Sequence, residues 1–378
     1  MKRRNELYLY LLIIMSGLII FVIFTVYASS ATPKETLGLS ARAAVLYEPE
    51  TKCFLFKKNA DTRLPMASTT KIMTALVALE NTSLDDIVEI DSAAVGVEGS
   101  SAYLKLGDRL TMEELLYALL LQSANDAAVA IAYYVGDSVE GFSKLMNEKA
   151  EELGLSDTHF TNPHGLDDKE HYTTAHDLAI IAAEALSNEI FKTICSTYKK
   201  RFISEVRERN YVNHNKLLNK YSSCIGVKTG FTKKSGRCLV GAAENEGLTF
   251  ISVTLDAPND WSDHEKLLDL GFETLERIIL AEEGEYTYKI PVIGGNGSEI
   301  TAKNLDSASY ITSRTSDSLE HHVKLSKFAT APINIGDVLG EVVFTSHGEI
   351  VGSVKLQATE NVQKKENKNI IERLLGFL

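Results

Sequence analysis

Strand-like segments stand at both ends of a long helical stretch, and this arrangement constrains the fold more than any other feature of the chain. Ala43 to Phe56 reads as a β-hairpin: Ala43-Ala44-Val45-Leu46-Tyr47 and Cys53-Phe54-Leu55-Phe56 flank Glu48-Pro49-Glu50-Thr51. Three further β-type segments follow much later, at 223–231, 237–243 and 248–255, the first two joined over the polar turn Lys233-Lys234-Ser235-Gly236. Between these groups the apolar residues recur at helical spacing. Ile72, Ala75, Leu76 and Leu79 predict a helix from Ser68 to Leu79. Met112–Leu121 and Asp126–Val135 are two strongly apolar helices interrupted at Ser123-Ala124-Asn125, and further helices are expected over 138–153, 174–187 and 264–281. Strands at both ends with helices between them imply an α+β domain whose antiparallel sheet is closed by chain-distant strands.

From about Tyr286 the texture changes. Short alternating stretches such as Tyr288-Lys289-Ile290-Pro291-Val292-Ile293 sit between Gly, Asn, Asp and Ser clusters, which predicts a small all-β domain over 286–358. The terminal segment 359–378 interleaves Lys364, Lys365, Lys368 and Arg373 with Ile370, Ile371, Leu374, Leu375, Phe377 and Leu378. That pattern suits either an amphipathic tail on a membrane surface or a short helix packed on its own domain.

At the other end, Lys2, Arg3 and Arg4 precede the uncharged stretch Leu7–Tyr27. A basic flank followed by an apolar segment is the pattern read by export machinery, so residues 1–28 are expected to be a signal peptide cleaved after Ala28, with a retained anchor as the alternative. Either places the remainder outside the cytoplasm, after a linker over 29–37. With 378 residues, 44% of them apolar and 24% charged, the chain can build one large domain and a small one; disordered, collagenous and coiled-coil classes drop out. A net charge of −12 argues against nucleic acid as a partner. Cys53, Cys195, Cys224 and Cys238 are too scattered for a disulfide scaffold or a zinc ribbon. Cys224 and Cys238 either face each other across a hairpin or, as expected here, are free buried thiols.

Three short motifs carry the chemistry. Ser68-Thr69-Thr70-Lys71 opens a predicted helix, where residues three apart share a face. A serine becomes a nucleophile only when a base removes its proton, and a desolvated lysine can be that base. Backbone N–H groups at a helix start can stabilise the oxyanion that forms. Ser-x-x-Lys arises by chance about once or twice in a chain of this size, and Ser196-Thr197-Tyr198-Lys199 is a second copy, set in a polar stretch without an apolar helix behind it. Ser123-Ala124-Asn125 places polar side chains between two buried helices, where they need partners; alone it reads first as Ser123 capping the helix that starts at Asp126. Lys228-Thr229-Gly230 follows the apolar run Ile225-Gly226-Val227, and a strand bearing a charge, a hydroxyl and then no side chain suits a carboxylate-bearing peptide laid along its edge. Taken alone, Lys228 is also an ordinary exposed lysine before a turn.

The ordered set of three is the signature of penicillin-interacting serine enzymes, and the chain resembles the serine-type D-alanyl-D-alanine carboxypeptidases, the low-molecular-mass penicillin-binding proteins of bacterial cell walls. The likeness extends over Pro65–Leu76, Leu119–Ala128, His159–Leu166, His171–Ala175, Gly226–Thr232 and Gly236–Val240, within 38–282, and the 286–358 segment is similar to the accessory domain of that family. It implies a serine β-lactamase/DD-peptidase-like catalytic domain over 38–282. The implied substrates are peptidoglycan stem peptides ending in D-Ala-D-Ala, with β-lactams as inhibitors and no metal or organic cofactor. By the same resemblance Ser68 is the nucleophile, Lys71 the base, Ser123 a proton relay and Asn125 a positioning group. Lys228, Thr229 and Gly230 would receive the substrate carboxylate, and the backbone N–H groups of Ser68 and Phe231 would form the oxyanion hole.

Rival readings are a class A β-lactamase, a metallopeptidase and an inactive penicillin-binding wall sensor. The lactamase needs a glutamate for deacylation, whose usual Glu-x-x-Leu-Asn carrier is absent, and the second motif here is Ser-Ala-Asn, not Ser-Asp-Asn. His159, His164, His171 and His176 cluster at intervals of five, seven and five, which puts no two at i, i+4. The intact motif triplet argues against the sensor.

Overall fold

The computed structural model describes residues 37–203, 208–314 and 318–365. The expected signal segment or anchor, the linker up to residue 36 and the tail from residue 366 lie outside them. The chain divides into two compact units, one reaching Asn245 and including 249–271, the other formed by 246–248 and the residues from Phe272 onward.

In the first unit, strands β1 (Ala43–Glu48) and β2 (Cys53–Lys58) are followed by a 3-10 turn over Ala67–Thr70 and helix α1 (Lys71–Asn81). A small ladder joins β3 (Ile87–Glu89) to β4 (Arg109–Thr111), after which α2 (Met112–Leu120), α3 (Asn125–Gly136), α4 (Val139–Glu152), α5 (Ala175–Ser187) and α6 (Glu189–Ser196) form the helical part. A hairpin of β5 (Lys199–Ile203) and β6 (Glu208–Val212) and a short helix α7 (Leu217–Lys220) lead to β7 (Cys224–Thr232), β8 (Gly236–Asn245) and β9 (Leu248–Leu255), then α8 (Asp260–Thr274). The main sheet has the order β2-β1-β9-β8-β7. Its closure is the pairing of β1 with β9, antiparallel from Ala43 opposite Leu255 to Tyr47 opposite Ile251. All six residues of β1 are buried, as in a strand covered on both faces. The two ends of the unit thus meet in one sheet, and the fold is α+β as expected.

The helices α2 and α3 are apolar on nearly every side. Leu115, Leu116, Leu119, Ala127, Ala128 and Ile131 are wholly buried, and a helix without a polar stripe belongs in the interior. The break between them therefore lies deep in the unit.

The second unit begins with β10 (Leu275–Ala281), which pairs antiparallel with β13 (Ala308–Ser313). The helix expected over 264–281 ends at Thr274: the Ile278-Ile279 pair fits a pleated ladder, and the partner strand decides the outcome. The strands β11 (Thr287–Ile293), β12 (Glu299–Asn304), β14 (Leu319–Leu325), β15 (Ala329–Thr330), β16 (Val338–Ser346) and β17 (Glu349–Ala358) make a sheet ordered β14-β16-β17-β12-β11-β15 around Ile290, Ile300, Val342 and Leu356. Residues 359–365, expected to open an amphipathic tail, instead bridge back to this unit, Val362 opposite Ile333 and Lys364 opposite Gly295. Among the described residues no helix is long and apolar enough to cross a membrane.

All four cysteines are free thiols. Cys224 sits opposite Ala243 and Cys238 opposite Gly230, so the two do not face each other across the hairpin.

Candidate active site

Ser68 lies in the 3-10 turn that runs straight into α1, so Lys71 is the first α-helical residue and Ser68 precedes the regular helix. The i, i+3 proximity expected of a helix holds nevertheless, with Lys71 Nζ 3.0 Å from Ser68 Oγ. The turn is held locally. Thr69 Oγ1 donates to Met66 O at 2.6 Å and Thr70 Oγ1 to Ala67 O at 2.8 Å, while Ala67 adopts a left-handed φ of +48°. The loop after His159 presses on it. A Cβ on Gly165 would lie 1.9 Å from Ala67 O, Thr74 Oγ1 donates to Pro163 O at 2.6 Å, and Lys71 Nζ donates to His164 O at 2.6 Å.

Asn125 opens α3. Its Oδ1 accepts from Lys71 Nζ at 2.7 Å, its Nδ2 donates to Glu98 O at 2.5 Å, and its backbone N–H donates to Ser100 O at 2.7 Å. The capping position of α3 is Ala124, with no side-chain cap. Ser123 is therefore not an N-cap; it takes a left-handed φ of +59° and turns toward the cleft. The neighbouring Asp126 carboxylate accepts from Ser101 Oγ, Ala102 N, Leu104 N and Ala127 N at 2.6–3.1 Å, fixing the loop that carries Ser100.

The third motif lies on β7. A bulge between Cys224 and Gly226, with positive φ at Gly226 and Val227, re-aims the strand just before Lys228. Lys228 is 2% exposed and its Nζ donates to Thr229 O at 2.9 Å; the exposed-lysine reading does not hold. Gly230 runs against the nucleophile turn, where a Cβ would lie 3.0 Å from Ser68 N and 3.1 Å from Met66 O. The lookalike Lys234-Ser235-Gly236 is spent in the turn, Ser235 Oγ lying 2.9 Å from Thr232 Oγ1.

Two buried amines, neither hydrogen-bonded to a carboxylate among the described residues, set the electrostatics. Burial, then the charge of Lys228, hold Lys71 well below the ordinary lysine range, only partly countered by Asp126. Burial alone lowers Lys228 to about 7. Lys71 is thus an amine whose neutral form is favoured by its surroundings, within reach of a serine hydroxyl, an arrangement that can take a proton.

Ser68, Ser123, Thr229, Gly230 and Phe231 line one cleft of about 340 Å³. Lys228 is not among the residues lining it and lies buried next to Thr229. The second Ser-x-x-Lys copy falls apart: Ser196 ends α6, its Oγ directed to Thr193 O, and Lys199 begins β5. Sequence reasoning missed His214, Lys216, Arg237 and Trp261, which also line the cleft. Arg237 pairs with Asp260 at 2.8 Å and stacks over Trp261 at 5.5 Å. Nothing in their spacing marks them: β8 and the start of α8 bring Arg237 and Trp261 together, while His214 and Lys216 lie on the connection between β6 and α7. The clustered histidines have separate partners: His159 Nδ1 lies 2.6 Å from Glu170 O, His171 Nε2 2.7 Å from Thr70 Oγ1, and His176 Nδ1 3.2 Å from Asp177 Oδ1. Burial lowers His164 to about 3 and His171 to about 4.

Residues 28–259 match the family described as D-alanyl-D-alanine carboxypeptidase, and residues 276–364 match the penicillin-binding protein 5 C-terminal domain. The D-alanyl-D-alanine carboxypeptidase DacF of Bacillus subtilis is 32% identical over 96% of this chain and 98% of its own. The D-alanyl-D-alanine carboxypeptidase of Streptomyces sp. K15 is 36% identical over 66% of this chain and 92% of its own. Among solved structures, penicillin-binding protein 5 of Haemophilus influenzae superposes with a TM-score of 0.63 at 29% identity, covering 88% of this chain and 99% of that one. The order of motifs, the sheet that joins them and these likenesses agree: the chain belongs to the D-alanyl-D-alanine carboxypeptidase family.

Proposed function

We propose that the chain is a serine-type carboxypeptidase that removes the terminal D-alanine from peptidoglycan stem peptides through an acyl-enzyme on Ser68. The observation that carries this reading is the buried Lys71 amine, its pKa held well below the ordinary lysine range, 3.0 Å from Ser68 Oγ and held by Asn125 and the His164 carbonyl. Lys71 takes the hydroxyl proton as Ser68 Oγ bonds to the carbonyl carbon between the two D-alanines. The N–H groups of Ser68 and Phe231 receive the oxyanion. Ser123 relays that proton from Lys71 to the departing amine, the C–N bond breaks, and D-alanine leaves with Lys71 neutral again; water, deprotonated in turn by Lys71, cleaves the ester, and the proton returns to Ser68 Oγ. Thr229 meets the substrate carboxylate, Lys228 supplies positive charge from beneath it, and Gly230 keeps the path clear. β-Lactams would acylate the same serine and leave slowly, in contrast to the rapid turnover of a lactamase. The enzyme is read as exported, working outside the cytoplasm between the membrane surface and the cell wall. In a D-alanine release assay on a peptide ending in D-Ala-D-Ala, Ser68→Ala should be inactive and Ser196→Ala unchanged; the reverse pattern overturns the assignment.

A further inference from the structure

His171 takes no part in the steps above, yet it is tied to the nucleophile turn. The residue is buried, and its Nδ1 lies 3.0 Å from the backbone N–H of Thr161, with Thr161 Oγ1 farther off at 3.4 Å. A backbone N–H can only donate, so Nδ1 is the acceptor and the proton of the neutral ring sits on Nε2. Burial lowers this imidazole to about 4, so the neutral ring is the working form. Nε2–H therefore donates to Thr70 Oγ1 at 2.7 Å, and Thr70 Oγ1 turns its own proton to Ala67 O at 2.8 Å. Each link has one direction, from Thr161 through His171 and Thr70 to the Ala67 carbonyl. That carbonyl shares a planar trans peptide unit with Ser68 N–H, and the two groups point opposite ways. Ala67 and Thr70 are buried, and a Cβ on Gly165 would lie 1.9 Å from Ala67 O and 2.9 Å from Thr70 Oγ1. On the other side, β7 comes so close that a Cβ on Gly230 would lie 3.0 Å from Ser68 N.

Resting on the reading of Ser68 as the acylated residue and its N–H as an oxyanion donor, we infer that His171 is a positioning residue of the oxyanion hole. It acts through Thr70 on the Ala67–Ser68 peptide. Pinning Ala67 O on the buried side fixes the plane of that peptide and so the direction of Ser68 N–H. A hydrogen bond accepted by a peptide carbonyl also polarises the N–H of the same unit, which makes it a stronger donor. The effect is felt where negative charge develops on the substrate oxygen, so it lowers the barrier and leaves ground-state binding unchanged.

The test reads turnover and the state of the bound carbonyl separately. His171→Leu and Thr70→Val break the relay at different links, so either carries the result if the other fails to fold. His171→Gln, whose amide can still donate to Thr70, and Thr70→Ser keep it. One readout is kcat and KM on a peptide ending in D-Ala-D-Ala. The other is the infrared carbonyl band of the acyl-enzyme formed with an isotope-labelled penicillin, which falls in wavenumber as the oxyanion hole polarises the ester. The breaking variants should lower kcat by about tenfold, less than the roughly 10²–10³ of losing a donor outright, with KM within about twofold. They should also move the carbonyl band to higher wavenumber, whereas the conservative variants should leave the band in place and kcat within about threefold. A fall in kcat with the band unmoved, no fall in kcat, or rescue by neither conservative variant overturns the inference. An unsubstituted chain that forms no acyl-enzyme overturns the function on which it rests.

Discussion

Gly230→Ala tests whether the close approach of β7 to the nucleophile turn is part of the chemistry. The added methyl would lie 3.0 Å from Ser68 N, 3.1 Å from Ala67 Cβ and 3.1 Å from Met66 O, so the neighbours must give by a few tenths of an ångström. All three contacts lie on the turn that carries Ser68, and the displacement separates the Ser68 N–H from the Phe231 N–H across the cleft. Donors of an oxyanion hole work at roughly 2.7–3.1 Å, and losing one costs about 10²–10³ in rate. A misplacement of about 1 Å costs on the order of 10²-fold. A shift of a few tenths of an ångström should therefore slow acylation by about 10-fold to 100-fold. Overpacking at one site costs about 1–3 kcal/mol of stability, so the variant should still fold. The assay is the second-order rate of labelling by a fluorescent penicillin, with thermal melting as the check on folding. A variant that melts within a few degrees of the parent and labels within twofold of its rate would refute the reasoning.

Other expectations follow from the same geometry. Acylation should fall as pH drops and Lys71 becomes protonated, with the limb below the ordinary lysine value of 10.5 because its amine is buried beside Lys228; Lys71→Arg, protonated throughout, should lose about 10³-fold or more at every pH, measured by penicillin labelling. Lys228 has a folded pKa of about 7 against 10.5 when free, so the unfolded chain binds more protons between those values and stability should rise as pH rises through that window. Lys228→Met should flatten the rise in melting experiments from pH 6 to 9, and be more stable than the parent at pH 6 by about 3 kcal/mol, while substrate turnover falls. Asp126→Asn removes the carboxylate that holds the 101–104 loop, and should lower stability by about 2–3 kcal/mol in urea melts. It should also move the Lys71 limb to lower pH, because Asp126 is the charge that favours protonated Lys71.

Much of this site can be read from residue order. The apolar period of α1, the doubly buried pair α2 and α3, and the strands at both ends of the unit place Ser68, Ser123 and Lys228 on the elements that later converge. What escapes is whatever depends on main-chain acceptors or on a remote partner. The carbonyls of His164 and Glu98, which fix Lys71 and Asn125, have no side-chain signature. The 3-10 turn at Ser68 reflects two threonine hydroxyls folding back on Met66 and Ala67 together with the loop at Gly165, a local competition that helical spacing does not reveal. Leu275–Ala281 fits a helix or a strand equally well until β13 supplies a ladder. The β5–β6 hairpin begins with Lys199-Lys200-Arg201 and reads as a solvated charge run, although Phe202 and Tyr211 turn inward and Arg209 is buried between two carboxylates.

The central claim is that the Ser68 hydroxyl forms a covalent bond to acyl groups because the Lys71 amine beside it is uncharged. The most direct measurement is peptide mapping by mass spectrometry after brief exposure of the folded chain to a penicillin at neutral pH. The account predicts a single adduct on the peptide containing Ser68, absent in Lys71→Arg. An adduct on the peptide containing Ser196, or labelling of Ser68 that proceeds undiminished in Lys71→Arg, would contradict it.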